Sequence, residues 1–88
     1  MWTSIELFKR SEDKVVYAFG IDELDGIMEI DLVNIENSKI VCMPSNGLVD
    51  RRTANNAFGL MLNLSQRGEF PAKKTYATGW RVIYAKKG

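Results

Sequence analysis

The sequence predicts an α+β fold of two layers, in which an antiparallel β-meander carries one amphipathic helix on one face. Two observations lead to this prediction. A single stretch, residues 50–68 (DRRTANNAFGLMLNLSQRG), repeats its apolar residues with the period of a helix. The stretches on either side alternate between apolar and polar residues, or form short apolar runs, as strands do. The predicted order is therefore β-β-β-β-α-β, in one domain spanning residues 1–88.

Four strands are predicted before the helix. Their ranges are Trp2–Arg10, Lys14–Ile21, Ile27–Val33 and Lys39–Met43. Polar turns separate them, and Gly26 is expected to supply the positive φ of the turn before the third strand. That third strand has the most regular alternation in the chain, which indicates an antiparallel strand buried on one face.

The second strand is apolar on both of its faces. Tyr17 and Phe19 share one side, and Val16 and Ala18 share the other. One helix covers only part of a five-stranded sheet, so we expect a sheet face around Tyr17 and Phe19 to be left uncovered and to bind a partner. The alternative is a strongly twisted sheet that curls over its own core.

The helix has predicted ends and a predicted buried side. Asp50 is expected to cap its N-terminus, and Gly68 to end it in a left-handed conformation. The apolar side consists of Ala54, Ala57, Phe58, Leu60, Met61, Leu62 and Leu64.

The opposite side of this helix has an unusual composition. It carries Arg52, Asn55, Asn56, Gly59, Asn63, Gln66 and Arg67. Three asparagines and a glycine each cost about 0.5–1 kcal/mol relative to alanine in a helix. We interpret this side as a contact face, with Gly59 permitting close approach; the alternative is a solvated surface on a helix that is held by its apolar side alone.

The last predicted strand, Thr75–Ala85, is expected to pair with the first strand at an edge of the sheet. Its alternation places Tyr76, Trp80 and Tyr84 on one face if pairing is continuous. Gly79 interrupts the strand and suggests a bulge.

Composition and charge place limits on the function. The chain is 45% hydrophobic and 26% charged, and it has no apolar run long enough for a membrane span, no secretory signal and one cysteine. These features predict a cytoplasmic protein with no membrane partner. Residues 1–45 hold four basic and nine acidic groups (−5), whereas residues 46–88 hold eight basic and two acidic groups (+6). This polarity favours an anionic ligand, head-to-tail docking of two copies, or opposite charges on facing strands.

No catalytic or metal site is predicted. The sequence has no histidine, no phosphate-binding glycine loop and no cysteine pair. Cys42 lies on a predicted apolar strand, where a thiol is usually inert. Aligning the acidic run around Gly26 with a calcium loop puts Ile21 and Leu32 at ligand positions, which rules that loop out. We therefore expect no cofactor.

The leading functional hypothesis is a small, non-enzymatic protein-interaction domain that self-associates as a homodimer or binds another protein. Its predicted contact residues are Arg52, Asn55, Asn56, Gly59, Asn63 and Arg67 on the helix, with Tyr17 and Phe19 on the sheet. The alternative is a nucleic-acid-binding domain that uses the basic C-terminal half, where cations accompany aromatic residues.

Overall fold

The computed structural model describes residues 2–77, which form one antiparallel sheet and one α-helix. The predicted fold class is thereby confirmed. The elements are β1 (Trp2–Arg10), β2 (Lys14–Ile21), β3 (Glu23–Asp31), β4 (Lys39–Cys42), α1 (Arg51–Gln66) and β5 (Lys73–Ala77), with a single 3-10 turn at Ile35–Asn37 between β3 and β4. The strand order is β4-β3-β2-β1-β5, so the expected position of the last strand beside the first is confirmed. The part of that strand predicted from residue 78 onward, including Gly79, lies outside the described residues.

The core lies between α1 and one face of the sheet. Alternate residues of β1, β2 and β3 point into it, and α1 closes it with Ala54, Ala57, Met61 and Leu64. Ile5 and Thr3 face inward on β1, and Met28 and Ile30 on β3, so the third strand is buried on one face as its alternation predicts. Each large side chain buried in this way contributes about 1.5–3 kcal/mol relative to an exposed position.

Tyr17 and Phe19 lie beneath the helix, and the prediction that they form an uncovered face is wrong. Both are completely buried in the same cluster as Met61. The physical reason is size, since the helix covers the face with the larger side chains and leaves Val16 and Ala18 on the other side. The Tyr17 hydroxyl donates a hydrogen bond to the Pro71 carbonyl oxygen at 3.0 Å, and burial raises its pKa.

The turn between β2 and β3 occurs earlier than expected. β3 begins at Glu23, and Asp22 rather than Gly26 has the positive φ, at 69°. Gly26 instead lies within β3 opposite Phe19. A Cβ atom at Gly26 would approach Phe19 Cε1 to 2.8 Å and Pro44 Cδ to 2.7 Å. The glycine is therefore required for the space it leaves to its neighbours and not for its backbone conformation.

Both predicted ends of the helix are confirmed. The Asp50 carboxylate accepts a hydrogen bond from the Thr53 backbone N–H at 2.7 Å. At the other end Gly68 has a φ of 77°, and its N–H donates to the Ser65 carbonyl oxygen at 3.0 Å. The Glu69 N–H donates to the Leu64 carbonyl oxygen at 2.8 Å, which completes a Schellman motif.

The Asp50 cap predicts a specific dependence of stability on pH. The hydrogen bond from the Thr53 N–H, followed by the one involving the Thr53 side chain, lowers the pKa of Asp50 below its ordinary value of 3.8. The cap therefore stabilises the fold fully above that ordinary value, and the stabilisation is lost as pH falls through the lowered pKa of the folded state. We expect Asp50→Ala to lower the thermal midpoint by several degrees at neutral pH.

The measurement is a series of thermal melts of both proteins from neutral pH to about pH 2. The difference between them should shrink in the acid range. Asp50→Asn is the matched control, because asparagine caps a helix without titrating there. A difference between the wild-type protein and the alanine variant that stays constant down to the lowest pH would contradict the assignment.

Candidate interaction surfaces

Two surfaces on opposite sides of the two layers remain without a neighbour among the described residues. The first, here called the helix face, comprises Arg52, Asn55, Asn56, Gly59, Asn63, Gln66 and Arg67. The second, here called the open sheet face, is the side of the sheet turned away from α1 and includes Trp2, Ser4, Glu6, Phe8, Val16, Ala18, Ile27 and Glu29. The structure thus keeps together the six predicted helix residues and separates them from Tyr17 and Phe19.

The helix face points away from the sheet as the sequence predicts. Its arginine, asparagine and glutamine side chains are all exposed. The apolar side of α1 is wider than the part that the sheet covers, since Phe58, Leu60 and Leu62 are only half-buried. Leu60 joins Asn63, Gln66 and Arg67 in a shallow depression of about 340 Å³. That these residues bind a partner stays a prediction.

Gly59 lies at the centre of the helix face, and no contact within the described residues explains it. Apart from its chain neighbours and the backbone of its own helix, a Cβ atom built there would have no described atom within 4 Å, and its φ is not positive. Glycine in the middle of a helix costs about 1 kcal/mol relative to alanine. The fold within residues 2–77 therefore gains nothing from this glycine that alanine would not also provide.

The charge of the helix face is uniformly positive. Residues 51–66 contain no carboxylate. Within the described part of the chain, Arg51 and Arg52 have no carboxylate oxygen within 4 Å, and Arg67 Nε lies 3.5 Å from Glu69 Oε2 in an exposed pair. An exposed pair of this kind is weak and leaves Arg67 able to bind another anion.

The open sheet face is apolar at its centre and carries exposed aromatic residues. Val16, Ala18 and Ile27 are half-buried neighbours on β2 and β3. Trp2 is 58% exposed and Phe8 is 70% exposed. Phe8 is the extra residue where the β1–β2 register shifts, and it does not join the core although Leu7 does. Phe8 therefore lies on the open sheet face together with Lys9, whose register partner is Val16.

Opposite charges face one another across the strands of the open sheet face. Lys14 Nζ lies 3.5 Å from Glu29 Oε1, and the register places Lys39 beside the same glutamate. The register also pairs Glu6 of β1 with Lys73 of β5. Of these pairs only Glu6 and Lys73 join the acidic and the basic half of the chain, so facing strands account for a small part of the charge difference between the halves.

A recess of about 240 Å³ lies at one end of this face, lined by Lys9, Ser11, Lys14, Val16 and Glu29. The Ser11 hydroxyl is already engaged, because it accepts a hydrogen bond from the Lys14 N–H at 3.2 Å. Glu29 in turn offsets the charge of Lys14. One cation, Lys9, remains for a ligand, which makes the recess a poor site for a phosphate group.

The described residues bring together no group of three histidine, cysteine or acidic side chains that could hold a metal ion. Cys42 is exposed at the end of β4. Its thiol donates a weak hydrogen bond to the Asp25 carbonyl oxygen at 3.6 Å. In residues 2–77 no helix has the length and hydrophobicity needed to cross a bilayer.

Trp2 and Phe8 were not among the contact residues predicted from the sequence. The signal was present in β1, where both alternate with the inward side chains of Thr3, Ile5 and Leu7. Once Ile5 is assigned to the core, Phe8 must lie on the side of Ser4 and Glu6.

Comparison of the chain with protein families, with curated proteins and with solved structures finds no match in any of the three.

Proposed function

We propose that this protein is a small, non-enzymatic protein-interaction domain that self-associates as a homodimer through the open sheet face. The observation that carries the proposal is the exposure of two aromatic side chains, Trp2 and Phe8, beside the apolar centre of a sheet face that no described segment covers. Exposed apolar surface of this kind commonly marks an interaction site.

Twofold symmetry makes this surface effective. In a symmetric dimer both copies contribute the same face, so the two Trp2 and two Phe8 side chains supply four aromatic anchors. Each large apolar side chain contributes about 1.5–3 kcal/mol when it is fully buried. Association costs about 4–15 kcal/mol in lost translational and rotational freedom, which is of the same order as the roughly 6–12 kcal/mol that four such anchors contribute.

The charges also favour the open sheet face over the helix face for self-association. The sheet face holds both signs, as in Glu6 and Lys73, so it can be complementary to a copy of itself. Antiparallel packing of two helix faces about Gly59 would place Arg52 near Arg67 of the second copy. Like charges in contact oppose such a dimer.

The cytoplasm is the proposed location. Its support is the single cysteine, Cys42, whose exposed thiol has no disulfide partner. Exposed free thiols are typical of a reducing compartment.

The experiment is a measurement of mass in solution as a function of concentration. We expect the wild-type protein to be dimeric at about 100 µM, and Phe8→Glu to be monomeric because the substitution buries a charge in the interface. Val33→Glu is the matched control: it makes the same kind of change at a residue that is exposed but lies after β3, away from the open sheet face.

Both variants should keep the thermal midpoint of the monomer, since neither side chain is buried in it. A wild-type protein that stays monomeric at high concentration would refute self-association. Equal effects of the two substitutions would refute the open sheet face as the interface.

A second candidate function is nucleic-acid binding, which a different observation favours. Of the aromatic residues expected on the last strand, Tyr76 is half-buried against the core, and Trp80 and Tyr84 lie outside the described residues. The cations that favour it project from α1, where Arg51 and Arg52 are exposed and have no carboxylate oxygen within 4 Å among residues 2–77. The adjacent Asp50 carboxylate caps the helix.

A further inference from the structure

The side chains of the helix face belong to the types that read DNA bases. Arginine pairs with the O6 and N7 atoms of guanine, and asparagine or glutamine pairs with the N6 and N7 atoms of adenine. The face combines Arg52 with Asn55, Asn56, Asn63 and Gln66, all exposed on one side of one helix. We propose that the helix face of α1 docks in the major groove of B-form DNA.

The dimensions of α1 suit this groove. Its 16 residues give a length of about 24 Å. A helix with its side chains is about 10–12 Å across, and the major groove of B-form DNA is about 12 Å wide. Among residues 2–77 no second helix lies beside α1 on the sheet to keep it out of the groove.

This arrangement explains why a glycine occupies position 59. It lies at the centre of the helix face, where the missing side chain lets the backbone approach the base edges. The asparagines on either side, Asn56 and Asn63, would then reach the bases without being held away by a longer neighbour. Glycine is otherwise unexplained at this position, because nothing in the described fold requires it.

The electrostatics are complementary to a polyanion. Arg51 and Arg67 lie on the two flanks of the helix face, in positions that suit the two phosphate backbones bordering a groove. Lys74 adds a further cation on the helix side of the sheet, because its register partner on β1 is the core residue Ile5. The carboxylates of the open sheet face lie on the far side of the molecule.

Two other polyanions are compared with DNA in the test. An acidic polypeptide would also satisfy the arginines, so polyglutamate serves as the competitor. Double-stranded RNA presents a major groove too deep and narrow for a helix. The duplex is therefore specified as DNA, and self-association through the open sheet face leaves this surface free.

The test is fluorescence anisotropy with labelled DNA duplexes of about 20 base pairs and mixed sequence, which exceed the footprint of the helix. We expect binding at low salt that weakens roughly 40-fold between 50 and 200 mM salt, as for about three neutralised phosphates. Arg51→Gln should weaken binding and reduce the salt slope by about one, because it removes one of the cations placed at the phosphates. Lys39→Gln on β4 is the matched control, since it removes one cation from the opposite side of the molecule and should change neither quantity.

Gly59→Glu provides a second variant that keeps the fold, because its side chain enters open space and improves helix propensity. It should lower affinity at least about tenfold by placing a carboxylate in the groove. Absence of binding at low salt would overturn the proposal. So would equal losses in Arg51→Gln and Lys39→Gln, or tighter binding of single-stranded DNA, duplex RNA or polyglutamate than of duplex DNA. None of these outcomes bears on the dimer, which the mass measurement tests separately.

Discussion

Replacing Phe19 with alanine is expected to lower the free energy of unfolding by about 3–5 kcal/mol, a large share of the stability of a small domain. Phe19 is fully buried between the sheet and α1. Its removal costs both the transfer free energy of the ring and the cavity that it leaves. The neighbour across the sheet is Gly26, which has no side chain to fill that cavity.

Phe8→Ala makes the same chemical change at an exposed site and is the matched control. Phe8 is outside the core, so we expect a change within about 0.5 kcal/mol. Denaturant titrations of both variants should be run at about 1 µM, where dimer formation contributes little to the apparent stability. Equal losses from the two substitutions would mean that the helix does not cover the Phe19 side of the sheet.

This comparison tests the point at which sequence reasoning failed. The alternation in β2 predicted correctly that Tyr17 and Phe19 share one side and that Val16 and Ala18 share the other. Alternation cannot say which of two apolar sides a helix will cover, because that choice depends on contacts between distant segments. Side-chain volume was the usable signal, since the larger residues fill the space between the two layers.

Local features were predictable where one residue determines the geometry. Asp50 and Gly68 mark the ends of α1 as expected, because a cap and a left-handed stop need particular side chains. The turn before β3 was misplaced because glycine is not the only residue that adopts a positive φ. Asp22 adopts the positive φ that was assigned to Gly26, and aspartate tolerates this conformation better than most residues.

A helical wheel predicts which residues of the helix face point outward, but not what they contact. Periodicity predicted that Asn56, Gly59 and Asn63 point outward, and they do. The wheel could not show whether Gly59 meets another part of the chain, since that needs the positions of every other segment. With no described atom near its missing side chain, the glycine is unexplained by the fold and the case for a partner rests on that fact.

Gly26→Ala and Gly59→Ala are expected to change stability in opposite directions. At Gly26 the new methyl group would meet the Phe19 ring at 2.8 Å and Pro44 at 2.7 Å, so these neighbours must shift. Such overpacking costs about 1–3 kcal/mol. At Gly59 the methyl group meets nothing within 4 Å, and the gain in helix propensity is about 1 kcal/mol.

Thermal melts of the two variants measure this difference directly, and each kcal/mol corresponds to about 4–8 °C in a domain of this size. A combined Gly26→Ala and Phe19→Leu variant identifies the cause, because a side chain of smaller area leaves room for the methyl group. Its loss should be smaller than the sum of the two single losses by at least about 0.5 kcal/mol. Strict additivity would mean that the Phe19 ring does not occupy the space above Gly26. A loss of stability in Gly59→Ala would mean that this glycine belongs to a packed contact, which would remove the main reason for assigning the helix face to a partner.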